Sequence, residues 1–555
     1  MISPAPESIE ANLPPVIAGA VEARLLTAAE DDVLGRLWKK DPTVFGPADQ
    51  PEVANRLGWL DIADRLKPEA ADLAAFADEV RGDGIRDVVV LGMGGSSLAP
   101  EVFRRSFGSA EGFPALHVLD STDAQAVKDV EAVTDPGATL YVVATKSGGT
   151  IETLSAFAHF HALQPDGRHF VAITDPGSKL VDLAQEHGFR RTFLNDENIG
   201  GRYSALSYFG LVPAALSGVD VAAVLQGAEI AAAACRPLDT QIGTVGLWLG
   251  ATLGELAAHG RDKLTFLIDP PLDSWALWVE QLVAESTGKT NPHPDASDKP
   301  TGILPVADEP LGAVESYGAD RVFVHVRNGD EGSDGTHDAR LRELAAAGHP
   351  TIIAHYSAAD APTALGQLFF TAEFATAIAG WVLGINPFDQ PNVQEAKDNT
   401  AKALEARTPA QADAHDHELQ ELLRDAGPPS YVAIMGYVAP SEAFDEAISE
   451  LRAAIRDTTQ STTTFGYGPR FLHSTGQLHK GGPKHGRFLQ LFHAAPEDVE
   501  IPGQDYSFEV LKAAQAIGDL ETLRSHGLPA ERITLGDDPV AAVRHLTERV
   551  RALIA

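Results

Sequence analysis

The stretch Asp87-Val-Val-Val-Leu-Gly-Met-Gly-Gly-Ser-Ser-Leu-Ala-Pro100 constrains the fold more than any other. Val88–Leu91 is an unbroken β-branched and aliphatic run, the pattern of a parallel strand buried on both faces. Gly92, Gly94 and Gly95 then allow a tight turn whose amides approach a ligand without Cβ interference. Ser96 and Ser97 add hydroxyls at the start of the next helix. A strand, a glycine turn and a helix N-terminus make an anion site, most often for phosphate. It is neither Gly-x-Gly-x-x-Gly, since position 97 is serine, nor a P-loop, since no Gly-Lys-Ser/Thr follows. An ordinary strand–turn–helix corner shares the pattern, so the loop gains meaning from its neighbours.

A chain of 555 residues is too long for one core and implies several domains. Lys+Arg 43 against Asp+Glu 78 gives a net charge of −35, which argues against broad binding to nucleic acid or anionic membrane. A local basic pocket for a small anion remains compatible with that balance. The single cysteine, Cys235, excludes an intramolecular disulfide and a cysteine metal cluster, and its alanine-rich flanks suggest a buried, inert thiol. The N-terminus lacks a basic region followed by an apolar core, and no apolar run is read as reaching the ~18 residues of a membrane span. A cytoplasmic enzyme is the expected class.

Residues 1–80 read as an amphipathic helical region with Trp38 and Trp59 as packing anchors. Residues 81–235 alternate strand and helix, with strand candidates Val88–Leu91, Leu116–Leu119, Leu140–Ala144, Phe170–Thr174 and Thr192–Leu194. This is the pattern of a doubly wound parallel sheet, whose ligands bind beyond the carboxyl ends of the strands. The segment 144–153, Ala-Thr-Lys-Ser-Gly-Gly-Thr-Ile-Glu-Thr, follows one such strand with Thr145, Ser147 and Thr150 at a helix start, so that two loops at neighbouring strand ends clamp one phosphate. In Asn-Ile-Gly-Gly-Arg-Tyr-Ser, 198–204, two glycines present Arg202, whose planar charge suits an oxyanion. Residues 236–400 repeat the architecture, with strands Leu264–Ile268, Val322–Val326 and Thr351–His355. Between the first two, Gln281 and Glu285 share a helix face, and Glu285 lies near a helix end closed by Gly288, where the dipole disfavours a carboxylate and favours a base of raised pKa. A surface Glu285–Lys289 pair is the competing reading. Lys397 falls early on a helix opened by Pro391. Residues 401–430 form a helical connector, and 431–555 a third α/β piece with strands 431–437, 488–493 and 532–535. Its irregular segment 467–483 carries two histidines, an arginine and a lysine, a content that marks functional loops.

These pieces together resemble the phosphoglucose (glucose-6-phosphate) isomerase family. Gly92–Pro100 and Thr145–Thr153 resemble its two phosphate loops, Gly200-Gly-Arg-Tyr-Ser204 its Gly-Gly-Arg signature, Gln281–Lys289 its catalytic-glutamate segment, and Phe388–Lys397 its Phe-Asp-Gln segment ending in a catalytic lysine. The likeness extends to the isomerase half of transaldolase–isomerase fusion proteins, which carry a His-Ser-Thr-Gly-Gln-Leu-His-Lys-Gly-Gly-Pro segment near the C-terminus. The resemblance implies an α/β chain of two doubly wound sugar-isomerase (SIS) domains plus a C-terminal α/β module, acting in aldose–ketose isomerisation through a cis-enediol with neither metal nor organic cofactor. It implies Glu285 as base, Arg202 stabilising the enediolate, and Lys397 with a histidine opening the sugar ring. It gives Gly94, Gly95, Ser96, Thr145, Lys146, Ser147 and Thr150 to the phosphate, and Gln281 and Gly201 to the rest of the substrate.

The histidine departs from the family's Gly-Thr-Asn-Gly-Gln-His segment. The counterpart by position is Gly332-Ser-Asp-Gly-Thr-His337. The C-terminal Ser474-Thr-Gly-Gln477 echoes the same motif, so His479 is placed first, His473 second and His337 third. In the usual family the histidine comes from a partner subunit. A module supplying it within one chain makes a monomer as acceptable as a homodimer. Competing functions are an isomerase of mannose 6-phosphate or an amino-sugar phosphate, and a non-catalytic sugar-phosphate sensor. A docking surface for a separate transaldolase is an alternative role for the module.

Overall fold

The computed structural model describes residues 9–237, 243–290, 300–329, 336–406 and 413–554. Strand β1 (Ile9–Asn12) opens the chain and is followed by helices up to residue 82. Strands β2 (Asp87–Gly92), β3 (Ala115–Leu119), β4 (Thr139–Ala144), β5 (Phe170–Thr174) and β6 (Arg191–Leu194) form a parallel sheet in the order β3-β2-β4-β5-β6. Strands β2 and β4 are neighbours with Gly92 opposite Ala144, and the order reverses between them. The two hydroxyl-rich loops therefore leave adjacent strands at the topological switch point, where open α/β sheets bind ligands.

Strand β7 (Lys263–Ile268) begins the second sheet. After the short pair β8 (Lys289–Thr290) and β9 (Pro300–Thr301) come β10 (Leu304–Val306), β11 (Arg321–Asn328) and β12 (Thr351–Tyr356). The order is β1-β12-β11-β7-β10, parallel except for β1, which pairs antiparallel with β12. The start expected to be mostly helical thus also supplies a strand that closes the edge of the second sheet. A third parallel sheet, β14-β13-β15-β16, contains β13 (Tyr431–Tyr437), β14 (Thr462–Tyr467), β15 (Gly486–Phe492) and β16 (Ala530–Thr534). Strand β14 escaped the sequence reading because its threonines look polar, although Thr462 and Thr463 are buried.

The main core joins the N-terminal helices, one face of each of the first two sheets and the helix Ala361–Leu383. Trp59 is fully buried against Phe370 and Phe374, and Trp38 stacks on the same two rings. Contrary to the sequence reading, residues Ala358–Leu383 are long and apolar enough to cross a membrane, but 72% of an apolar 18-residue window within them is buried inside the protein, the signature of a core helix. Cys235 is buried in this core. The C-terminal module docks on both halves. Val499, Ile501, Phe508 and Leu511 pack on the outer face of the first sheet, while Tyr431, Phe471 and Leu478 pack on Ala284, Leu304 and Val306 of the second half.

Candidate active site

The helix Trp275–Thr287 is buried on almost every side, with only Leu277 left out. A helix buried all round normally carries apolar residues alone. This one also buries Gln281 and Glu285, at 4% and 2% exposure. The Glu285 Oε2 atom accepts from Gln390 Nε2 at 2.6 Å and more weakly from Gln281 Nε2 at 3.4 Å, and Arg202 Nη1 stands 3.7 Å away. Burial pushes the Glu285 carboxyl up to about 7, against the opposing pull of Arg202, His473 and Lys289. A carboxyl poised there exchanges a proton easily near neutral pH.

Arg202 is held by its surroundings rather than by the carboxylate alone. It donates to Ser286 Oγ at 2.8 Å and to the carbonyls of Pro387 at 2.6 Å and Asp389 at 3.3 Å. Lys289 is buried below it, donating to Asn386 O, Asp389 O and Asp389 Oδ1 at 2.6–2.7 Å. Burial, aided by Arg202, pulls the Lys289 ammonium down to about 7. The surface Glu285–Lys289 pair is thus replaced by two buried groups, each within electrostatic reach of Arg202.

The glycine turn is required sterically. Gly94 has φ +54, and a Cβ there would meet the His473 carbonyl oxygen at 2.7 Å and Gln281 Nε2 at 2.9 Å. A Cβ on Gly95 would lie 2.0 Å from the Gly201 carbonyl oxygen. The first phosphate-type loop, the Gly201–Arg202 turn and the His473 loop therefore touch at one place. The Gln281 amide closes it, donating to the His473 carbonyl at 2.6 Å. Ser96 and Thr145 are buried, Thr150 is half-buried and Ser147 is exposed. The Thr145 and Thr150 hydroxyls lie 2.8 Å apart.

The three histidines separate cleanly. His473 Nε2 donates to Glu152 Oε1 at 3.0 Å, and Gln515 Nε2 donates to the same oxygen at 2.7 Å. Burial raises the Glu152 carboxyl, but His473 and Lys397 outweigh it and hold it below its ordinary value. Lys397 is exposed on the helix Val393–Ala406, within electrostatic reach of that carboxylate. His479, placed ahead of His473 on sequence, is a correction. Its side chain packs against Phe488 and Tyr431 at 5.0 and 6.0 Å, its Nε2 has no hydrogen-bond partner, and burial pulls it down to about 3. It faces the core because the short helix Gly476–Gly481 turns it away from the cleft. His337 is a second correction: its Nδ1 lies 3.0 Å from Asp269 Oδ1, at the end of the second sheet. The preceding Gly332–Gly335 lies outside the described residues. Lys146 also departs from expectation, because it ion-pairs with Asp175 and donates to the Glu197 carbonyl at 3.2 Å instead of facing the loop hydroxyls.

Sequence reasoning left out Gln390, Glu152, Gln515 and Gln477. The first two lie inside segments already singled out, as the glutamine of Phe388–Lys397 and the acid of Thr145–Thr153. Gln477 closes the Ser474-Thr-Gly-Gln477 echo within segment 467–483, while Gln515 carries no local signal. Gln477 ties the module to the rest of the site by donating to Gly288 O at 3.0 Å and Asn392 Oδ1 at 2.9 Å.

A family model for phosphoglucose isomerase matches residues 65–304. The glucose-6-phosphate isomerase of Rubrobacter xylanophilus is 31% identical over 363 residues, which cover 58% of this chain and 83% of that protein. That of Desulfitobacterium hafniense is 27% identical, covering 68% and 76%. Other relatives match over less: the alignment spans 51% of the glucose-6-phosphate isomerase of Acaryochloris marina, at 33% identity. Among solved structures, a hypothetical protein from Thermus thermophilus aligns over 71% of this chain and 99% of its own, with TM-score 0.58 and 24% identity. A glucose-6-phosphate isomerase from Chlamydia trachomatis aligns over 70% and 86%, also at TM-score 0.58, with 20% identity. These two establish the likeness of fold, and the sequence matches establish descent: the chain belongs to the phosphoglucose isomerase family.

Proposed function

We propose that this chain interconverts glucose 6-phosphate and fructose 6-phosphate through a cis-enediol, as a cytoplasmic enzyme. The observation that carries the reading is Glu285: a buried carboxyl with its pKa near 7, one oxygen facing an arginine and two glutamine amides, beside paired hydroxyl loops. In this reading the Glu285 carboxylate takes the proton from C2 and returns it at C1. The proton rests on the Glu285 carboxyl in the intermediate, whose neutral form costs little at a pKa near 7. Arg202, fixed by Ser286 and two carbonyls, stabilises the oxyanion that develops as C2 is deprotonated. The Gly94 and Gly95 amides with Ser96, Thr145, Ser147 and Thr150 hold the phosphate, and Gln281 and Gly201 border the sugar.

Ring opening requires an acid–base pair at the sugar's ring oxygen and C1 hydroxyl. His473, oriented by Glu152, is the group assigned to it, with Lys397 assisting. His473 comes from the C-terminal module of the same chain, so the site is complete in one copy.

The test is a coupled assay of fructose 6-phosphate conversion, with wild type beside Glu285→Gln in the presence of EDTA. Activity in the wild type that is lost in the variant supports the reading. A folded wild type without activity, binding the sugar phosphate, overturns it in favour of a sensor or another sugar. Mixing Glu285→Gln with His473→Ala tests completion within one chain. Restored activity in the mixture would place the two residues on different subunits and overturn that part.

A further inference from the structure

The second sheet carries at its own switch point a set of side chains that the isomerase reading does not use. Asp269 follows β7 directly, His325 lies on β11, and His337 lies in the first turn of the helix Thr336–Ala346. Strands β7 and β11 are the neighbours between which the strand order of this sheet reverses. His325 Nε2 lies 2.9 Å and His337 Nδ1 3.0 Å from the same oxygen, Asp269 Oδ1, and the three donor atoms fall within 4.8 Å of one another. The other Asp269 oxygen is fixed by the Asn328 N–H at 3.0 Å, so the carboxylate cannot turn away. His325 is 1% exposed and His337 retains 28% of its side-chain surface, which leaves an entrance.

One feature of this cluster is unfavourable as it stands. For both imidazoles to donate to Asp269 Oδ1, His325 must carry its proton on Nε2. Its buried Nδ1 then presents a lone pair with no hydrogen-bond partner, 3.7 Å from the Asp338 carboxylate. Moving that proton to Nδ1 turns the repulsion into an N–H facing a carboxylate, and frees the Nε2 lone pair. A carboxylate behind a metal-bound histidine is the usual way such a ligand is oriented. With bonds of about 2.0–2.1 Å, donors of a tetrahedral site lie roughly 3.3 Å apart, a few tenths of an ångström beyond the two Asp269–histidine separations.

The geometry points to a binding site for a divalent transition metal of the Zn²⁺ class, held by Asp269 Oδ1, His325 Nε2 and His337 Nδ1, with a fourth position open to water. Binding ties the helix Thr336–Ala346 to the carboxyl edge of the sheet. The site is separate from isomerisation. Glu285 lies ten residues beyond the start of the helix that follows Asp269, roughly 15 Å along its axis.

The experiment uses the full chain, stripped with a chelator and titrated with Co²⁺. The wild type is expected to bind one Co²⁺ per chain with the intense visible absorption of a four-coordinate N,O site, and Zn²⁺ is expected to displace it. His337→Gln keeps an amide donor for Asp269 but loses the ligand, and the absorption is expected to vanish. Asp338→Asn keeps all three ligands and is expected to weaken binding by roughly tenfold or more. Absence of the absorption in the wild type overturns the proposal. Its persistence at full strength in His337→Gln also does, because the metal would then sit on other histidines.

Discussion

The segment from Arg470 to Gly482 passes through two environments, and its two histidines came to opposite fates. At one end His473 meets Glu152, while its carbonyl accepts from Gln281 beside Glu285. At the other end, six residues on, His479 is sealed between Tyr431 and Phe488 with nothing to share a proton. Both regions bury titratable groups, but only the cleft surrounds them with opposite charge and amide donors. Burial raises Glu285 to about 7, where it still ionises in the working range because Arg202, His473 and Lys289 oppose the burial. Burial lowers His479 to about 3, where it is neutral at any physiological pH. Burial makes a group chemically useful only where neighbours keep its charged form within reach.

The largest effect belongs to Glu285→Gln, which keeps the shape of the cleft and removes its base. Turnover is expected to fall about 10⁴-fold, the upper end of what a positioned base supplies. In the wild type, kcat/KM is expected to decline as pH falls below about 7, because the base must be ionised and its folded value is raised. The stability of the variant sharpens the comparison. A carboxyl raised from 4.5 to about 7 destabilises the fold once pH exceeds 4.5, and the full penalty is present above 7. Glu285→Gln is therefore expected to be more stable than wild type at alkaline pH, by up to ~3 kcal/mol, and to lose that advantage as pH falls towards 4.5. Denaturant melts at the two pH values measure it.

His473→Ala comes next. If His473 has the proposed ring-opening role, its loss is expected to lower turnover about 10²-fold with ring-closed glucose 6-phosphate. The loss should be much smaller with an acyclic substrate analogue in a proton-exchange assay. Equal losses on both would show that His473 supports the cleft rather than opening the ring.

Much of this was legible in the sequence, because the signals were local. The apolar run Val88–Leu91, the glycine turn and the hydroxyls of 145–150 each announce a strand end followed by a polar loop, and Gln281 and Glu285 share a helix face by spacing alone. The histidine was not legible, because the choice depends on which turn of 470–482 faces the cleft. Sequence likeness to Thr-Asn-Gly-Gln marked the segment without orienting it. Strand β1 was hidden by its four-residue length, and β14 by threonines whose burial depends on the helix Glu442–Thr459 and the second half of the chain. The Asp269, His325 and His337 cluster has no sequence spacing to read, since its members come from a strand end, a strand and a separate helix.

A smaller effect on turnover, but a large one on stability, is expected from Lys512→Met. Lys512 Nζ is fully buried and meets Asp123 Oδ2 at 2.6 Å, Glu509 at 2.7 Å and the His493 carbonyl at 2.7 Å. Asp123 caps the helix Ala124–Val133 of the first sheet's domain, so this ion pair fastens the module to the cleft. Removing one partner leaves a buried charge, at a cost of about 3–5 kcal/mol. Urea melts should show that loss, and turnover should fall less than in His473→Ala, because the loop's own contacts to Gln281 and Glu152 survive. Wild-type stability in the variant would break the view that the module is anchored through this pair.

The smallest effect on turnover, less than about twofold, is expected from His479→Phe, and its value lies in what pH does to its stability. The residue touches no group of the cleft, and phenylalanine suits a pocket already formed by two aromatic rings. At neutral pH the histidine is uncharged both folded and unfolded, so the two proteins should differ by less than about 1 kcal/mol. Below its unfolded value of 6.5 the unfolded chain takes up a proton that the folded chain refuses until about 3. Wild-type stability therefore falls with pH across that window, by ~1.4 kcal/mol per unit, and the phenylalanine variant is spared. At about pH 5 the variant should be more stable by ~2 kcal/mol. Denaturant melts at the two pH values decide it. A constant difference between the two proteins would mean that His479 is reached by water or a partner, and the contrast with His473 would then lose its physical basis.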